Sequence, residues 1–298
     1  MSRGREITLS PSQMAAMDCR LNWFLSYHEG YRPVKSSTAL ELGTGIHDAL
    51  EHYYNGGEDP AGHFALWADR RMKEIGAVWD DDVDSMLEAK ELGIAMLEGY
   101  VKEYAGRDNF EVIATEKTLS RRIPIPGKGT LSKCKLVARL DGLVRDHTTG
   151  RLFSLEHKTF SRFNPSSIEI DHQFTAQVWL GQNLADELGL DEEVVGVIYN
   201  GLRKQKPSTR TKLPLFERHK LFRTQNQIDV MLHRAYWQYR EFYRPDLPIY
   251  PQPNPMRCGW CSFQNVCTEY QRGGDYQFLL DEQFIKRKDS ITESDAEE

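Results

Sequence analysis

Val137-Ala138-Arg139-Leu140-Asp141-Gly142-Leu143-Val144 and, just beyond it, Leu152-Phe153-Ser154-Leu155-Glu156-His157-Lys158-Thr159 decide how this chain is read. Each run is apolar with polar residues set at intervals, and the residues between them include the turn pair Thr149-Gly150. Two strands joined by a hairpin near Asp146 to Arg151 follow. Side chains along a strand alternate with period two, so Glu156 and Lys158 share a face and His157 takes the other. The hairpin brings that face alongside Asp141. An E-x-K string is common, and a surface hairpin with a simple Glu–Lys pair is the plain alternative.

Upstream of these runs, Phe110 to Ile125 is a third strand, completing a meander with Cys134 to Arg145 and Leu152 to Thr159. Ser167 to Leu188 has helical periodicity, with Gly189 suited to the position after a helix end. Val194 to Leu202 is almost continuously apolar, as a strand covered on both faces must be. Gln225 to Tyr243 is helical. Upstream, Ser10-Pro11-Ser12 opens a helical stretch through Tyr27, with Ser10 as N-cap, and Leu40 to Tyr54, Ala61 to Val78 and Ser85 to Tyr104 follow. Helices, three-strand meander, helix, strand: this order defines an α/β fold with an N-terminal helical elaboration. By itself it implies no function.

Composition sets outer limits. The 298 residues, 40% hydrophobic and 28% charged, suffice for a substantial core. The expected organisation is one domain over residues 1–285 and an acidic, disordered tail over 286–298. No run is long and apolar enough to span a membrane, and the first residues lack the apolar core of a secretion signal, so a cytoplasmic setting is expected. The net charge of −6 argues against a nucleic-acid partner only until its distribution is considered. The segment from Asp289 to Glu298 carries five acidic residues and no basic one, and removing it leaves about −1. A second acidic knot is Asp80, Asp81, Asp82 and Asp84. Arg203, Lys204, Lys206, Arg210 and Lys212, by contrast, follow the last apolar strand with no acid among them. A loop of that kind can track a phosphate backbone without reading sequence, although a solvated charge run is the ordinary alternative.

Two constellations carry chemistry. Asp141 and Glu156 converge as carboxylates that suit Mg²⁺ or Mn²⁺, which prefer oxygen ligands, and the His157 carbonyl is a further candidate ligand. Lys158 stands where it could orient water or stabilise charge on a phosphoryl group. The second constellation is Cys258, Cys261 and Cys267, spaced C-x2-C-x5-C, with Cys19 far upstream. Four thiolates suit tetrahedral zinc or a cubane iron–sulfur cluster equally well. Cys134 is left over as a small core residue.

Asp141 followed by Glu156-x-Lys158 resembles the PD-(D/E)xK nuclease superfamily, and the surrounding pattern resembles its RecB-like branch. Leu42-Gly43-Thr44-Gly45-Ile46-His47-Asp48-Ala49-Leu50-Glu51 is similar to that branch's upstream helical motif, which implies His47 as a metal ligand with Asp141, Glu156 and His157. His172-Gln173-Phe174-Thr175-Ala176-Gln177-Val178-Trp179-Leu180 resembles the helix after the lysine strand and implies Gln177 beside the catalytic group of Asp141, Glu156 and Lys158. The tyrosine usual one turn later is replaced here by Leu180 and Gly181. Glu116 resembles an acidic residue of the first strand. The cysteines, with Trp23-Phe24 after Cys19 and Cys258-Gly259-Trp260-Cys261, resemble CRISPR-associated iron–sulfur exonucleases (the fourth Cas family) and AddB-type nucleases. This implies a [4Fe–4S] cluster on Cys19, Cys258, Cys261 and Cys267, stapling the two ends of a restriction-endonuclease-like mixed sheet flanked by helices. The resemblance implies a Mg²⁺- or Mn²⁺-dependent DNA exonuclease acting on single strands or free ends. Its setting would be recombination, repair, phage DNA processing or CRISPR adaptation, in the host cytoplasm if phage-encoded. A recombination or adaptation protein is the expected partner and an oligomer is allowed. The competing expectation is a DNA-binding or assembly subunit that has kept the fold and lost turnover.

Overall fold

The computed structural model describes residues 6–35, 37–75, 80–208, 211 and 213–287, with only the backbone at 75 and 80–82. The end of the helix expected to reach Val78, the side chains of Asp80 to Asp82, Arg210, Lys212 and the tail from 288 lie outside the described residues. Along the chain run β1 (Ile7–Leu9), α1 (Pro11–Ala16), α2 (Arg20–Trp23), a π-helical turn (Phe24–His28), β2 (Tyr31–Pro33), α3 (Thr38–Tyr54), α4 (Pro60–Ile75) and α5 (Asp80–Tyr104). Then come β3 (Phe110–Pro124), β4 (Thr130–Asp146), β5 (Leu152–Phe160), α6 (Pro165–Glu169), α7 (His172–Glu187), β6 (Val194–Arg203) and β7 (Phe216–Phe222). The chain continues through α8 (Gln225–Phe242), α9 (Pro255–Cys258), α10 (Gln264–Arg272), α11 (Tyr276–Gln283) and β8 (Phe284–Lys286). Two compact units emerge, residues 37–119 with 139–225, and residues 1–36 with 120–138 and 226–298.

The first of these is a mixed sheet covered by helices. β3 pairs with β4, β4 runs antiparallel to β5, β5 parallel to β6, and β6 antiparallel to β7. The parallel pair needs a crossover, which α7 supplies. The β4–β5 hairpin closes where the Asp146 carboxylate accepts from the Thr149 amide and hydroxyl, and Gly150 takes a φ of +70° that favours glycine. Ser37 caps α3 by accepting from the Leu40 amide at 3.3 Å. Leu42, Ile46, Ala49 and Leu50 then recur on one face and bury against Phe64, Met96, Leu97 and Tyr100. At Gly45 a Cβ would come within 2.6 Å of the Phe64 and Trp67 rings, so glycine sets how closely α3 meets α4. On α7, a Cβ at Gly181 would lie 3.1 Å from Ser154 Oγ, so this helix rests directly on β5. Leu152 to His157 are all buried, which explains the apolar reading of that run.

The other unit is mostly helical. β1 lies parallel to the first half of β4, with Ile7 opposite Cys134 and Leu9 opposite Leu136. Ser10 caps α1 and Pro11 opens it, as expected. Trp23 is buried edge-on against Phe242 and Tyr243 of the α8 end. A separate small core of Leu21, Leu25, Phe263, Val266, Leu280 and Phe284 ties the first and last segments together. β2 and β8 pair antiparallel at its edge.

Two expected helices are broken, for a definable reason. The stretch from Ser10 to Tyr27 breaks at Cys19, whose backbone is extended at φ −137°, ψ 113°. The stretch from Ser167 to Leu188 breaks before α7, where the Asp171 side chain accepts from the Gln173 amide at 2.8 Å and starts a new helix. Among the described residues, no helix is long and apolar enough to cross a membrane.

Candidate active site

The site is assembled from β4, β5, α3 and α7. Pairing of Gly142 with Leu155 sets Asp141 and Glu156 side by side at the end of the β4–β5 ladder. Both carboxylates are buried. Asp141 Oδ2 accepts from the His157 backbone amide at 2.6 Å and lies 3.2 Å from His47 Nδ1. Glu156 is held from the α7 side. Gln173 Nε2 donates to its Oε1 at 2.8 Å, Gln177 Nε2 donates to its Oε2, and Lys158 Nζ pairs with Oε1. Lys158 Nζ also donates to Gln173 Oε1 at 3.3 Å. Gln173 and Gln177 stand one turn apart on the same face of α7, which is why both reach one carboxylate.

Burial disfavours every charge here, yet the pairs outweigh it at three of four positions. For Asp141, burial opposes ionisation, but the charge and hydrogen bond of His47 and the His157 amide hold its pKa well below the ordinary range. For His47, burial is outweighed by Asp141 and its pKa is raised. Lys158 is likewise raised, because Glu156 offsets its burial. Glu156 is the exception: burial, reinforced by Asp141, raises its pKa despite Lys158. Ion pairing thus favours the charged forms of Asp141, His47 and Lys158 against the burial that opposes them.

Glu116 belongs to the same group. It sits on β3 with a φ of +43°, uncommon for a residue with a side chain, and pairs with Arg139. Its pKa is pushed up to about 7 by burial and by the Asp141 charge. One ligand atom each from His47, Glu116 and Asp141 lie within 4.8 Å of one another, close enough for a single ion. Glu156, turned toward the glutamines and Lys158, stands outside that grouping. The sequence pointed only faintly at Glu116 and passed over Gln173 in favour of Gln177. The i, i+4 spacing of the two glutamines was the available signal.

His157 lies on the opposite face of β5, with its ring buried and Nδ1 2.8 Å from Asn200 Nδ2. Burial drives its pKa down to about 3, more than the Asp141 charge restores, so it is neutral. Tyr54 of α3 stacks on it with centroids 5.5 Å apart, and the His47 ring meets it edge-on at 6.0 Å.

Among the described residues of the basic segment, the side chains of Arg203 and Lys206 are engaged. Arg203 ends β6 with Nε on the Pro214 carbonyl at 3.0 Å and its guanidinium 5.1 Å from the Phe160 ring centre. The Lys204 amide donates to the Phe160 carbonyl at 2.8 Å, and Lys206 Nζ pairs with Glu91 at 2.7 Å.

In the helical unit, the extended backbone at Cys19 frees its sulfur from the helix. Cys19 Sγ accepts from the Gln252 amide at 3.4 Å, Cys258 Sγ from the Asn254 amide at 3.3 Å, and Cys267 Sγ from Gln271 Nε2 at 3.4 Å. Cys261 and Cys267 have raised pKa values, first through burial and then through the neighbouring sulfurs, Cys19 and Cys258 among them. The four half-buried thiols thus gather in one place, with Cys19, Cys261 and Cys267 packed against the small core. Among the described residues, no three of these sulfurs lie mutually within 4.8 Å. Cys134 is fully buried apart from them.

A fold and a carboxylate–lysine site of this kind define a nuclease. The chain belongs to the PD-(D/E)XK nuclease superfamily, whose family model matches residues 8–268. Nucleases of that superfamily use divalent metals, and the His47, Glu116 and Asp141 group has the donors to bind one. A nuclease fold implies a nucleic-acid substrate. Among solved structures, the chain is similar to a "Putative exonuclease" from Eubacterium rectale, at 14% identity and a TM-score of 0.46, over 97% of this chain and 92% of that one. A search of curated proteins finds no match.

Proposed function

We propose that this nuclease is a Mg²⁺- or Mn²⁺-dependent deoxyribonuclease of the RecB-like branch that shortens DNA from an end. The observation supporting it most is the meeting of His47, Asp141, Glu156 and Lys158, from a helix and two strands, around two buried carboxylates. His47, Asp141 and Glu156 would hold the metal, with the His157 carbonyl as a further ligand and Glu116, already grouped with His47 and Asp141, within reach. The donor set is one imidazole nitrogen and carboxylate oxygens, which fits these ions. When bound, the metal supplies Lewis-acid polarisation of a phosphoryl oxygen and acidifies a water. The protein's own share is positioning. Gln173 and Gln177 fix the Glu156 carboxylate, while Lys158, held charged, places its ammonium against the attacking water or the phosphate oxygens. Water attacks phosphorus in line, one P–O bond breaks, and a phosphomonoester and a hydroxyl end result. Arg203, Lys204, Lys206, Arg210 and Lys212 would track the backbone of the DNA.

The four cysteines, in this reading, hold a [4Fe–4S] cluster. The resemblance to iron–sulfur nucleases favours the cubane over tetrahedral zinc, and the N–H donors to Cys19, Cys258 and Cys267 suit thiolate sulfur. The cluster would be structural. The same reading makes residues 1–285 one nuclease domain. It sets the protein in the cytoplasm, or the host's for a phage protein, with a recombination, repair or CRISPR-adaptation partner.

The test is digestion of 5′- and 3′-end-labelled single- and double-stranded DNA with Mg²⁺ or Mn²⁺, alongside Lys158→Ala and Glu156→Ala. Progressive shortening, abolished in both variants, is expected. Equal inertness of all three proteins on every substrate, with fold and cluster intact, would replace the enzyme by a DNA-binding assembly subunit. Anaerobically purified protein should be brown. A colourless protein with stoichiometric zinc refutes the cluster.

A further inference from the structure

Behind the site, on the face of β5 that α3 covers, runs a buried polar relay that the nuclease chemistry does not require. His157, Asn200 and Arg218 are direct neighbours across β5, β6 and β7. Arg218 fixes the direction of every bond in it, because a guanidinium can only donate. Its Nε donates to Asn200 Oδ1 at 3.1 Å, which identifies the amide oxygen. Asn200 Nδ2 therefore spends its two hydrogens on His157 Nδ1 at 2.8 Å and the Tyr100 hydroxyl at 2.7 Å. At the far end Asp108 can only accept. It takes Arg218 Nη1 at 2.5 Å and the Tyr54 hydroxyl at 3.2 Å. That leaves the Tyr100 hydroxyl to donate to Tyr54 at 2.5 Å while accepting from Arg218 Nη2 at 2.9 Å. Each of these donors has an acceptor, and His157 Nδ1 is an acceptor, so the ring proton sits on Nε2.

The pinned ring matters because of what rests on it. His47 and Tyr54 stand two turns apart on one face of α3, and both touch His157, one edge-on and one stacked. We infer that Asn200 and Arg218 are positioning residues: by locking the His157 ring as its Nε2–H tautomer, they seat α3 on β5 and set where His47 stands relative to Asp141. This rests on the metal reading proposed above. Outer-layer partners of this kind typically shift metal affinity by about 10–100-fold.

Two measurements on the metal-free full-length chain test it. In ¹⁵N NMR of histidine-labelled protein, His157 should carry its proton on Nε2. Asn200→Asp removes the donor, so the proton should move to Nδ1. Mn²⁺ binding, followed by calorimetry, should then weaken at least about tenfold in Asn200→Asp. An added carboxylate on its own would strengthen cation binding, so a weakening reads position rather than charge. Tyr54→Phe keeps the stack and cuts the hydroxyl from Tyr100 and Asp108, and should weaken Mn²⁺ binding several-fold with the tautomer unchanged. If Asn200→Asp does not fold, Tyr54→Phe decides. An Nδ1 proton in the wild-type chain, or variants that bind Mn²⁺ within twofold of wild type, overturns the inference alone. A wild-type chain that binds no Mn²⁺ overturns the metal reading and the inference with it.

Discussion

The carboxylate site on β4 and β5 and the thiol group around Cys19 and Cys258 are both sets of metal-competent side chains, but they relate to their surroundings in opposite ways. In the first, protein groups already satisfy the ligands. Glu156 has two glutamine amides and Lys158, and Asp141 has His47 and a backbone amide. Strands with both faces buried carry it, so the site is formed by the fold. In the second, the sulfurs receive N–H donors at 3.3 to 3.4 Å, come from short helices and an extended residue, and rest on a small core. A ligand set inside a rigid sheet uses stability already present, whereas one in irregular backbone must contribute it.

The sharpest way to break that contrast is to remove a ligand from each region. Asp141→Asn should lower nuclease activity by about a thousandfold or more, since it deletes a proposed metal ligand and the partner of His47. Its thermal transition should move far less than that of a cysteine variant. Cys19→Ser should do the reverse. Joining positions 19 and 258 closes a loop of roughly 240 residues, and the chain entropy of such a closure is on the order of 5 kcal/mol. Cys261→Ser should match it in calorimetry. A Cys19→Ser protein as stable as wild type would remove Cys19 from the ligand set.

A second pair of treatments sharpens the same point without mutation. Chelation of divalent metal should stop hydrolysis and leave circular dichroism and thermal stability nearly unchanged. Oxidative loss of the cluster should expose Trp23 and the nearby core, read as a shift in tryptophan emission and faster proteolysis near residues 19 and 258. Equal stability before and after oxidation would make the thiols incidental.

The same asymmetry explains what could be read from the sequence. Asp141, Glu156 and Lys158 were legible because a two-residue period on an apolar strand announces their common face, and the hairpin turn between them is short. The β3–β4–β5 meander and the β6 strand follow from the same patterning, and PD-(D/E)XK membership was visible in those residues. Glu116 was nearly invisible, because its position depends on a left-handed backbone residue within β3 that no pattern signals. Asn200 and Arg218 were invisible for another reason: a lone Asn in an apolar run says nothing until its cross-strand neighbours are known. The break at Cys19 was missed because the apolar periodicity runs straight across it. β7, with Arg218-His219-Lys220 in a half-exposed strand, carries too much charge to read as one.

His157 offers a pH test confined to the sheet-borne site. Its pKa of about 3 lies below the ordinary 6.5, so the folded state binds fewer protons than the unfolded chain between those values. The corresponding stability is fully present above about pH 6.5 and is lost as pH falls toward 3, by up to about 1.4 kcal/mol per pH unit. Because His157→Gln cannot titrate, the stability difference between wild type and this variant should shrink over that window. Denaturant melts at pH 7, 5 and 4 check it, and a difference independent of pH would show that the ring is not held neutral.

The smallest effect should come from Asn254, and it bears on the irregular region alone. Its side chain accepts from the Met256 and Arg257 amides at 3.0 and 3.2 Å and caps α9, while its own amide donates to Cys258 Sγ. Losing such a cap costs about 1 kcal/mol in an ordinary helix. Here α9 has four residues and ends on a proposed ligand, so the cap also holds Cys258 in place. Asn254→Ala should therefore cost about 1 kcal/mol in the cluster-loaded protein, where ligation itself fixes Cys258. It should also speed cluster loss on exposure to oxygen, followed as bleaching of the brown colour. Slower or unchanged bleaching would mean that α9 is held by the rest of its unit, and that the thiol region is as pre-formed as the carboxylate site.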